Sequence, residues 1–344
     1  MEKWMSQLIS PEAVEMAADR IRNVVVRTPL INFSSRVGAC LALKCENLQL
    51  AGAFKIRGAY NFILQIPEQR RLRGVITYSS GNHAQAVAYA ARGLGAPAVV
   101  VMPTTAPRVK VDGARSYGAE VIVEGTTSLE RQIRAEMEAD ARGLTMVPPF
   151  DHPNIIAGQG TVGLEILQDM PNTGTVYVPI GGGGLIAGIA ALIKQRVSSI
   201  RIVGVEPVGA AAMSASLLAG KPISLASVDS IADGLLPVRP GDLTYAHVKE
   251  FVDDVVTVDD DSIGRSVVWL AQHAKLIVEP SGAAALAAVM NASLERKTHG
   301  GNTSFNPDRE TVAVISGGNI GFDTLENFIQ DYKSFSGDSV SSWQ

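Results

Sequence analysis

The chain has 344 residues, of which 46% are hydrophobic and 19% charged, and its formal net charge is −4. This length can hold two domains around a substantial core, and the composition is that of a globular protein rather than a disordered one. Because charges of both signs are dispersed along the chain, a basic nucleic-acid surface and a polybasic membrane patch are excluded. No apolar run is long enough to predict a membrane span.

The N-terminal residues predict neither a signal peptide nor a metal site. They lead into an acidic helical stretch and contain no apolar region with a cleavage site. Cys40 and Cys45 do not have C-x-x-C spacing, and the five histidines show no paired spacing for zinc. We expect both cysteines to be reduced thiols of a cytoplasmic protein.

Short β-branched segments alternate with longer amphipathic segments along the chain. The predicted strands are 41–44, 74–78, 98–102, 120–124, 175–180, 202–206 and 311–315. The predicted helices are 84–92, 108–117, 129–142, 155–168 and 186–196. This alternation of near-continuous apolar strands with helices predicts an α/β fold whose parallel strands are covered on both faces.

Lys55 is the first candidate for chemistry in chain order. It follows the first predicted strand and a turn at Gly52, and it precedes a helical pattern that begins at Ile56. An amine at such a junction beside Phe54 is partly desolvated, which lowers the pKa of a lysine and makes it a nucleophile toward an aldehyde. The alternative is an ordinary solvated lysine in the first turn of a helix.

Two polar loops follow predicted strands. The segment 79–83 (Ser-Ser-Gly-Asn-His) could bind a carboxylate, and its Asn82 could donate to a phenolate oxygen. The alternative is an ordinary helix cap, and His83 would then be a histidine at a helix start. The segment 316–319 (Ser-Gly-Gly-Asn) has the same ambiguity. Open parallel sheets bind ligands at the carboxyl ends of their strands, which is where both loops fall.

Four consecutive glycines, 181–184, separate a strand from a helix. Such a loop can turn its amides toward a phosphate, and the helix dipole adds favourable charge. The spacing Gly182-x-Gly184-x-x-Ala187 also fits the dinucleotide fingerprint, with Glu206 at the end of the next strand as a ribose-binding acid. An NAD-linked oxidoreductase is therefore the alternative from a different reaction class.

Together these segments resemble the fold-type II pyridoxal-phosphate-dependent enzymes, and within them the serine/threonine dehydratase and serine racemase family. The resemblance extends from about residue 10 to about residue 331. It rests on segments in one order: Glu46-Asn-Leu-Gln49, Gly52-Ala-Phe-Lys-Ile-Arg-Gly58, Ser79-Ser-Gly-Asn-His-Ala-Gln85, Ile156-Ala-Gly-Gln-Gly-Thr161, Gly181–Leu185, Ile231-Ala-Asp-Gly234, Glu279-Pro-Ser-Gly-Ala283 and Ser316-Gly-Gly-Asn319.

The resemblance implies two open, mostly parallel twisted sheets flanked by helices. Residues 1–68 and 150–333 would form a large cofactor-binding domain, and residues 74–146 a small domain on the substrate side. We expect the tail 334–344 to be disordered.

The resemblance also implies roles for individual residues. Lys55 would carry pyridoxal 5′-phosphate as a Schiff base and accept the α-proton, with Ser80 on the opposite face of the ring. The residues expected to hold the cofactor are Phe54, Lys55, Asn82, Gly181, Gly182, Gly183, Gly184, Leu185, Gly234, Glu279 and Ser316. The residues expected to receive the substrate carboxylate are Ser79, Ser80, Asn82 and His83.

The implied reaction is β-elimination from a 3-hydroxy amino acid, L-threonine or L-serine, to a 2-keto acid and ammonia. Ser316 would face the pyridine nitrogen, and a neutral serine there makes the ring a weaker electron sink than a carboxylate would. This favours elimination over transamination. Ser80 leaves serine racemase open, and Ala53, where many relatives have serine, leaves threo-3-hydroxyaspartate ammonia-lyase open.

Many relatives bind a divalent cation through a glutamate, a backbone carbonyl and an aspartate. Here Glu206 and Ala210 match the first two, but Ala212 replaces the aspartate. Losing one anionic ligand should weaken a hard-cation site markedly. The expected partner is a small amino-acid substrate, without nucleic acid or membrane, in a homo-oligomer, either a dimer or a tetramer.

Overall fold

The computed structural model describes residues 8–33, 40–79, 81–299 and 309–332. Ser80 and the tail predicted at 334–344 lie outside these ranges. The strands are β1 (Leu30–Asn32), β2 (Leu41–Cys45), β3 (Val75–Tyr78), β4 (Ala98–Met102), β5 (Glu120–Val123), β6 (Thr145–Met146), β7 (Thr173–Pro179), β8 (Arg201–Pro207), β9 (Asp254–Val258) and β10 (Glu310–Ile315). The helices are α1 (Pro11–Ile21), α2 (Lys55–Leu64), α3 (Glu68–Arg71), α4 (Asn82–Gly93), α5 (Arg108–Ser116), α6 (Ser128–Arg142), α7 (Pro153–Asp169), α8 (Gly184–Arg196), α9 (Ala212–Ala219), α10 (Asp242–Phe251), α11 (Asp260–Trp269), α12 (Pro280–His299) and α13 (Phe322–Tyr332).

The described strands form two sheets. The larger has six strands in the order β1-β2-β10-β7-β8-β9, and the smaller has four in the order β5-β4-β3-β6. Each neighbouring pair is parallel except β1 and β2. The predicted α/β class with two mostly parallel sheets is therefore confirmed.

Each predicted strand is found within two residues of its predicted limits, but β1, β6 and β9 were missed. These three are short or half-exposed strands, and β1 and β9 lie at the edges of the larger sheet. They lack the continuous apolar run that identifies a buried parallel strand. The strands of the smaller sheet all fall within 74–146, while the domain limits themselves stay a prediction.

Helix α2 begins with Lys55. It lies between the helices next to the larger sheet and the helices next to the smaller sheet. It packs against α7 on one side and against α4 on the other. Helix α7 precedes β7 of the larger sheet, and α4 follows β3 of the smaller one. Lys55, at the first position of α2, is consequently placed where the two layers meet.

A buried group of charged side chains fixes α2 in this position. The Arg57 guanidinium donates to Glu46 at 2.8 Å and to Glu165 at 2.7 Å, so it joins β2's exit to α7. Lys44 of β2 donates to the same Glu165 at 2.5 Å. A buried charge is tolerated when it is paired and hydrogen-bonded, as each of these is. The network therefore holds α2 in position at Arg57, two residues after Lys55.

Within the described part of the chain, no helix is both long and apolar enough to cross a bilayer.

Candidate active site

The first turn of α2 is joined to the end of β10. The Phe54 amide donates to the Ser316 carbonyl at 3.1 Å, and Ala53 forms an antiparallel bridge with Gly317. The Lys55 amine donates to the Pro149 carbonyl at 3.0 Å and lies 5.2 Å from the centroid of the Phe54 ring. Desolvation in this setting lowers the pKa of Lys55 to about 8.

The segment 147–151 connects Lys55 to the glycine loop. Pro149 accepts from Lys55, and the ring of the next residue, Phe150, lies so close to Gly182 that a Cβ added there would be 2.2 Å from Phe150 Cδ1. The Asp151 carboxylate accepts the three amides at the start of α10, each at 3.0 Å. This anchoring makes the segment a rigid wall of the site, a role that no sequence motif indicated.

The glycine loop has backbone amides that donate to no acceptor among the residues that the structure describes. Gly183 has φ = 92°, in the left-handed region that favours glycine. Thr244 donates to the Gly182 carbonyl at 2.7 Å, which holds the loop against α10. Among the described residues, no acceptor faces the amides of Gly182, Gly183, Gly184 and Leu185, which are all buried residues. Buried amides are normally paired, so these donors are suited to an anionic ligand.

The side chains of Asn82 and Glu279 are hydrogen-bonded to each other at the start of α4. The Asn82 amide nitrogen donates to Glu279 Oε1, and the Asn82 oxygen accepts from Asn319 Nδ2 at 3.0 Å. Glu279 is 1% exposed, and desolvation raises its pKa against the opposing effect of Lys110. The structure therefore brings together two predicted residues, and it adds Asn319, which lay in a recognised segment without an assigned role.

His83 is buried against the wall segment. Its Nε2 lies 3.4 Å from the Val147 carbonyl, and its Nδ1 has no partner among the described residues. Burial first, and then the Lys55 charge, lower the pKa of His83 to about 3. The imidazole is consequently neutral at working pH. Ser79 Oγ accepts from the Gly81 amide at 3.1 Å.

Ser316 and Gly234 both contact Ser281 of α12. The Ser316 hydroxyl donates to the Ser281 carbonyl at 3.4 Å, and the Gly234 amide donates to Ser281 Oγ at 2.8 Å. A Cβ added to Gly181 would lie 3.0 Å from the Gly234 carbonyl oxygen. Ser281 thus joins the end of β10 to the turn that borders the glycine loop.

Lys110 was not predicted to be near the site. It is 2% exposed, and its amine lies 2.8 Å from Glu279 Oε2 and 2.6 Å from Asp233 Oδ2. Asp233 fell within a recognised segment, whereas the sequence around Lys110 reads only as an amphipathic helix. A buried lysine can be inferred from sequence only when its partners are known, and these are more than 100 positions away.

The residues predicted for a cation have another use here. Glu206 accepts the amides of Met213 and Ser214 at 2.7 and 2.8 Å, and the Ser214 hydroxyl at 2.6 Å. The Glu206 carboxylate therefore accepts hydrogen bonds from backbone amides in the first turn of α9. The side chain of Ala212 has no atom that could bind a cation. Within the described ranges, no three His, Cys, Asp or Glu side chains are grouped to hold a metal ion. These contacts do not fit a hard-cation site, nor an acid held ready for a ribose.

Comparison with known proteins places this geometry in a family. Residues 21–318 match the family of pyridoxal-phosphate-dependent enzymes. The chain is 42% identical over 320 residues to the L-threonine ammonia-lyase of Geobacter sulfurreducens, covering 92% of this chain and 77% of that protein. The chain belongs to the fold-type II pyridoxal-phosphate-dependent enzymes, in the serine/threonine dehydratase family.

Two further members of this family are similar over most of their length. The catabolic L-threonine dehydratase of Escherichia coli K12 is 41% identical over 288 residues, which is 84% of this chain and 85% of that one. The structure of maize serine racemase superposes with a TM-score of 0.86 at 38% identity, covering 96% of this chain and 99% of that one.

The residues present fit the cofactor of this family. The buried, unpaired amides of 182–185 suit its phosphate, and the partly desolvated amine of Lys55 suits its aldehyde. Asn82 uses one of its two amide hydrogens on Glu279, which leaves one donor for the ring. The phosphate, the aldehyde and one acceptor of the ring thus each have a complementary group at this site.

Proposed function

We propose that this chain is a pyridoxal-phosphate-dependent ammonia-lyase that converts L-threonine, and also L-serine, into the 2-keto acid and ammonia. The observation that carries the proposal is the Lys55 amine, placed between the Pro149 carbonyl and the Phe54 ring with its pKa lowered to about 8. The substrate is supported by the 42% identity to a protein named L-threonine ammonia-lyase.

The chain's own residues would hold the cofactor. The amides of Gly181, Gly182, Gly183, Gly184 and Leu185 would bind its phosphate at the start of α8. Asn82 would donate its second amide hydrogen to the ring, Phe54 would pack beside it, and Gly234 and Glu279 would border it. When bound, pyridoxal phosphate withdraws electrons from the substrate and so acidifies its α C–H bond.

Lys55 would move the proton. A lysine with a pKa near 8 has a substantial neutral fraction at physiological pH, and only the neutral amine can accept a proton. The same amine, once protonated, would return that proton to the leaving hydroxyl. One residue could thus carry out both proton transfers that β-elimination requires.

The substrate carboxylate would be received at the start of α4. Ser79 and Ser80 come just before this helix in the sequence, and Asn82 and His83 are its first two residues. The amides and the dipole at a helix start favour an anion. Neutral His83 can donate one N–H without adding a charge, and its Nδ1 has no other partner in the described chain. The geometry of Ser80 is outside the described residues, so its role stays a prediction.

Ser316 favours elimination over transamination. Ser316 is 4% exposed, and its backbone carbonyl accepts from the Phe54 amide at the end of β10. A neutral hydroxyl opposite the ring nitrogen would not hold that nitrogen protonated as a carboxylate would, so the ring would withdraw less charge. Rapid loss of a β-hydroxyl is then favoured over a long-lived carbanion.

Serine racemase is the second candidate. It is favoured by the 38% identity to maize serine racemase and by Ser80, which would supply an acid on the ring face opposite Lys55. A racemase would convert L-serine to D-serine faster than it releases pyruvate, so the two activities separate in one assay.

A keto-acid release assay tests the proposal. Substrates are threonine, serine and threo-3-hydroxyaspartate, each as both enantiomers, with and without EDTA. The purified protein should be yellow and release 2-keto acid from L-threonine, and Lys55→Ala should lose this turnover while Lys249→Ala, an exposed lysine, should retain it. A protein that stays colourless after adding pyridoxal phosphate would sink the proposal.

We also propose the two-domain division at 1–68 with 150–333 and at 74–146, a cytoplasmic location, and a homo-oligomer. The division is supported by the strands, because all described strands of the larger sheet fall outside 74–146. Limited proteolysis with mass mapping should cut between the two domains near residues 69–73, and sedimentation will give the subunit number.

A further inference from the structure

Lys110 lies beneath the loop that opens α4. It stands on α5, which follows β4 of the smaller sheet, and its ammonium is paired with Asp233 and Glu279 from segments next to the larger sheet. Its aliphatic stem fills the space beside Gly81, where an added Cβ would be 2.1 Å from Lys110 Cδ. One side chain therefore supports the loop and links it to both carboxylates.

A chain of polar contacts continues from Lys110 to the end of β10. Oε2 of Glu279 forms an ion pair with Lys110, and Oε1 accepts a hydrogen bond from Asn82. The Asn82 oxygen accepts from Asn319 Nδ2 at 3.0 Å, and that nitrogen also donates to the Ala51 carbonyl at 2.9 Å. The contacts thus run without interruption from α5 to the turn that precedes Lys55.

This chain of contacts fixes which way the Asn82 amide faces. If the amide were reversed, its oxygen would face the Glu279 carboxylate and its NH₂ group would face the NH₂ group of Asn319. Both contacts would be repulsive, so only the observed orientation satisfies all three side chains. It leaves the second N–H of Asn82 for a ligand.

The orientation depends on Glu279 being charged. Glu279 is buried, and a buried carboxylate without a cation takes up a proton and becomes a donor. The charged groups that face it are Lys110, which favours its ionised form, and Asp233, which opposes it. Lys110 therefore holds Glu279 as an acceptor only.

We propose that Lys110 is a positioning residue for the cofactor site, acting through Glu279 to orient the Asn82 amide and through its stem to seat the 79–82 loop. Lys110 itself has no contact with Lys55 or the glycine loop. The proposal rests on the proposed function, since the ligand of Asn82 is taken to be pyridoxal phosphate.

The test compares the dissociation constant for pyridoxal phosphate in the wild type, Lys110→Met, Asn319→Ala and a control. Lys194→Met is the control because it removes the Lys194–Asp253 ion pair, which is formed in the last turn of α8, at the opposite end of that helix from the glycine loop. We expect Lys110→Met and Asn319→Ala to bind the cofactor about tenfold more weakly, which is the effect of losing about one hydrogen bond. Lys194→Met should bind as the wild type does.

A pH series separates positioning from a merely structural effect. In Lys110→Met, affinity relative to the wild type should recover from about pH 6 to about pH 9, because Glu279 regains its charge as pH rises. A ratio that stays near one at every pH overturns the proposal. If Lys110→Met shows no cooperative unfolding by urea, Asn319→Ala decides: weaker binding supports the proposal and unchanged binding overturns it. Failure of the wild type and the control to bind overturns the proposed function, and this inference with it.

Discussion

The amine of Lys55 donates a hydrogen bond to the carbonyl of Pro149, which lies 94 positions further along the chain. Among the described residues, the hydrogen-bond partner of this amine is neutral, and no carboxylate is paired with it. Burial therefore acts without an opposing charge, and it lowers the pKa of Lys55 to about 8.

Reductive methylation with formaldehyde can measure this shift in the cofactor-free protein. The fraction of Lys55 modified, read by peptide mapping, should rise with pH to a midpoint near 8, because only the neutral amine reacts. A lysine peptide in the same reaction should have its midpoint near 10.4, as free side chains do. Equal midpoints for Lys55 and the peptide would show that the site does not activate the amine.

Gly182→Ala should damage the phosphate loop. The new Cβ would lie 2.2 Å from Phe150 Cδ1, and Phe150 cannot move freely because the next residue, Asp151, is bonded to α10. We expect a loss of about 1–3 kcal/mol in unfolding free energy and weaker binding of pyridoxal phosphate. Gly93→Ala is the control, since its Cβ would meet only Tyr60 at 3.7 Å. Equal urea midpoints for the two variants would contradict the prediction.

His83 should make the protein less stable in acid. Its folded pKa is about 3, whereas an unfolded histidine titrates near 6.5, so between these values the unfolded state binds the extra proton. The stability that His83 contributes is complete above pH 6.5 and falls by about 1.4 kcal/mol per pH unit toward pH 3. Urea unfolding at several pH values measures this slope, and His83→Gln should be shallower by that amount. A slope that His83→Gln leaves unchanged would show that other groups cause the acid sensitivity.

Arg57→Met should destabilise the fold strongly. It would leave Glu46 and Glu165 buried beside one remaining cation, Lys44, and such losses cost about 3–5 kcal/mol. Arg22→Met removes an ion pair with Asp19 whose side chains are 70% exposed, and it should leave the unfolding free energy unchanged. Comparable losses in both variants would mean that burial of the network does not determine its contribution.

The sequence predicted the central strands well because their apolar runs are continuous, as in β4 with all five residues buried. It missed β9, whose β-branched residues 255–258 favour a strand but whose half-exposed pattern is not the continuous apolar run of a buried parallel strand.

The residues of the candidate site also divide into those that the sequence indicated and those that it did not. Residues within loops of unusual composition, such as the glycine loop and 79–83, were singled out from the sequence directly. Lys110 and Pro149 were not, because their roles depend on partners from distant parts of the chain. Glu206 was predicted as a cation ligand or a ribose acid, and its use as a cap for α9 depends on the path of the chain after β8.

Strand β10 pairs with β2 on one side and β7 on the other, so the last described strand lies inside the larger sheet. During synthesis, β2 and β7 must wait with exposed edges until β10 emerges from the ribosome. Pairing across so many residues is slow, and unpaired edges of this kind are prone to aggregation. Ser316 and Asn319 come just after β10, so the candidate site is completed in the step that closes these edges. A ligand that needs these residues can therefore bind only after this closure, to the finished chain rather than to a folding intermediate.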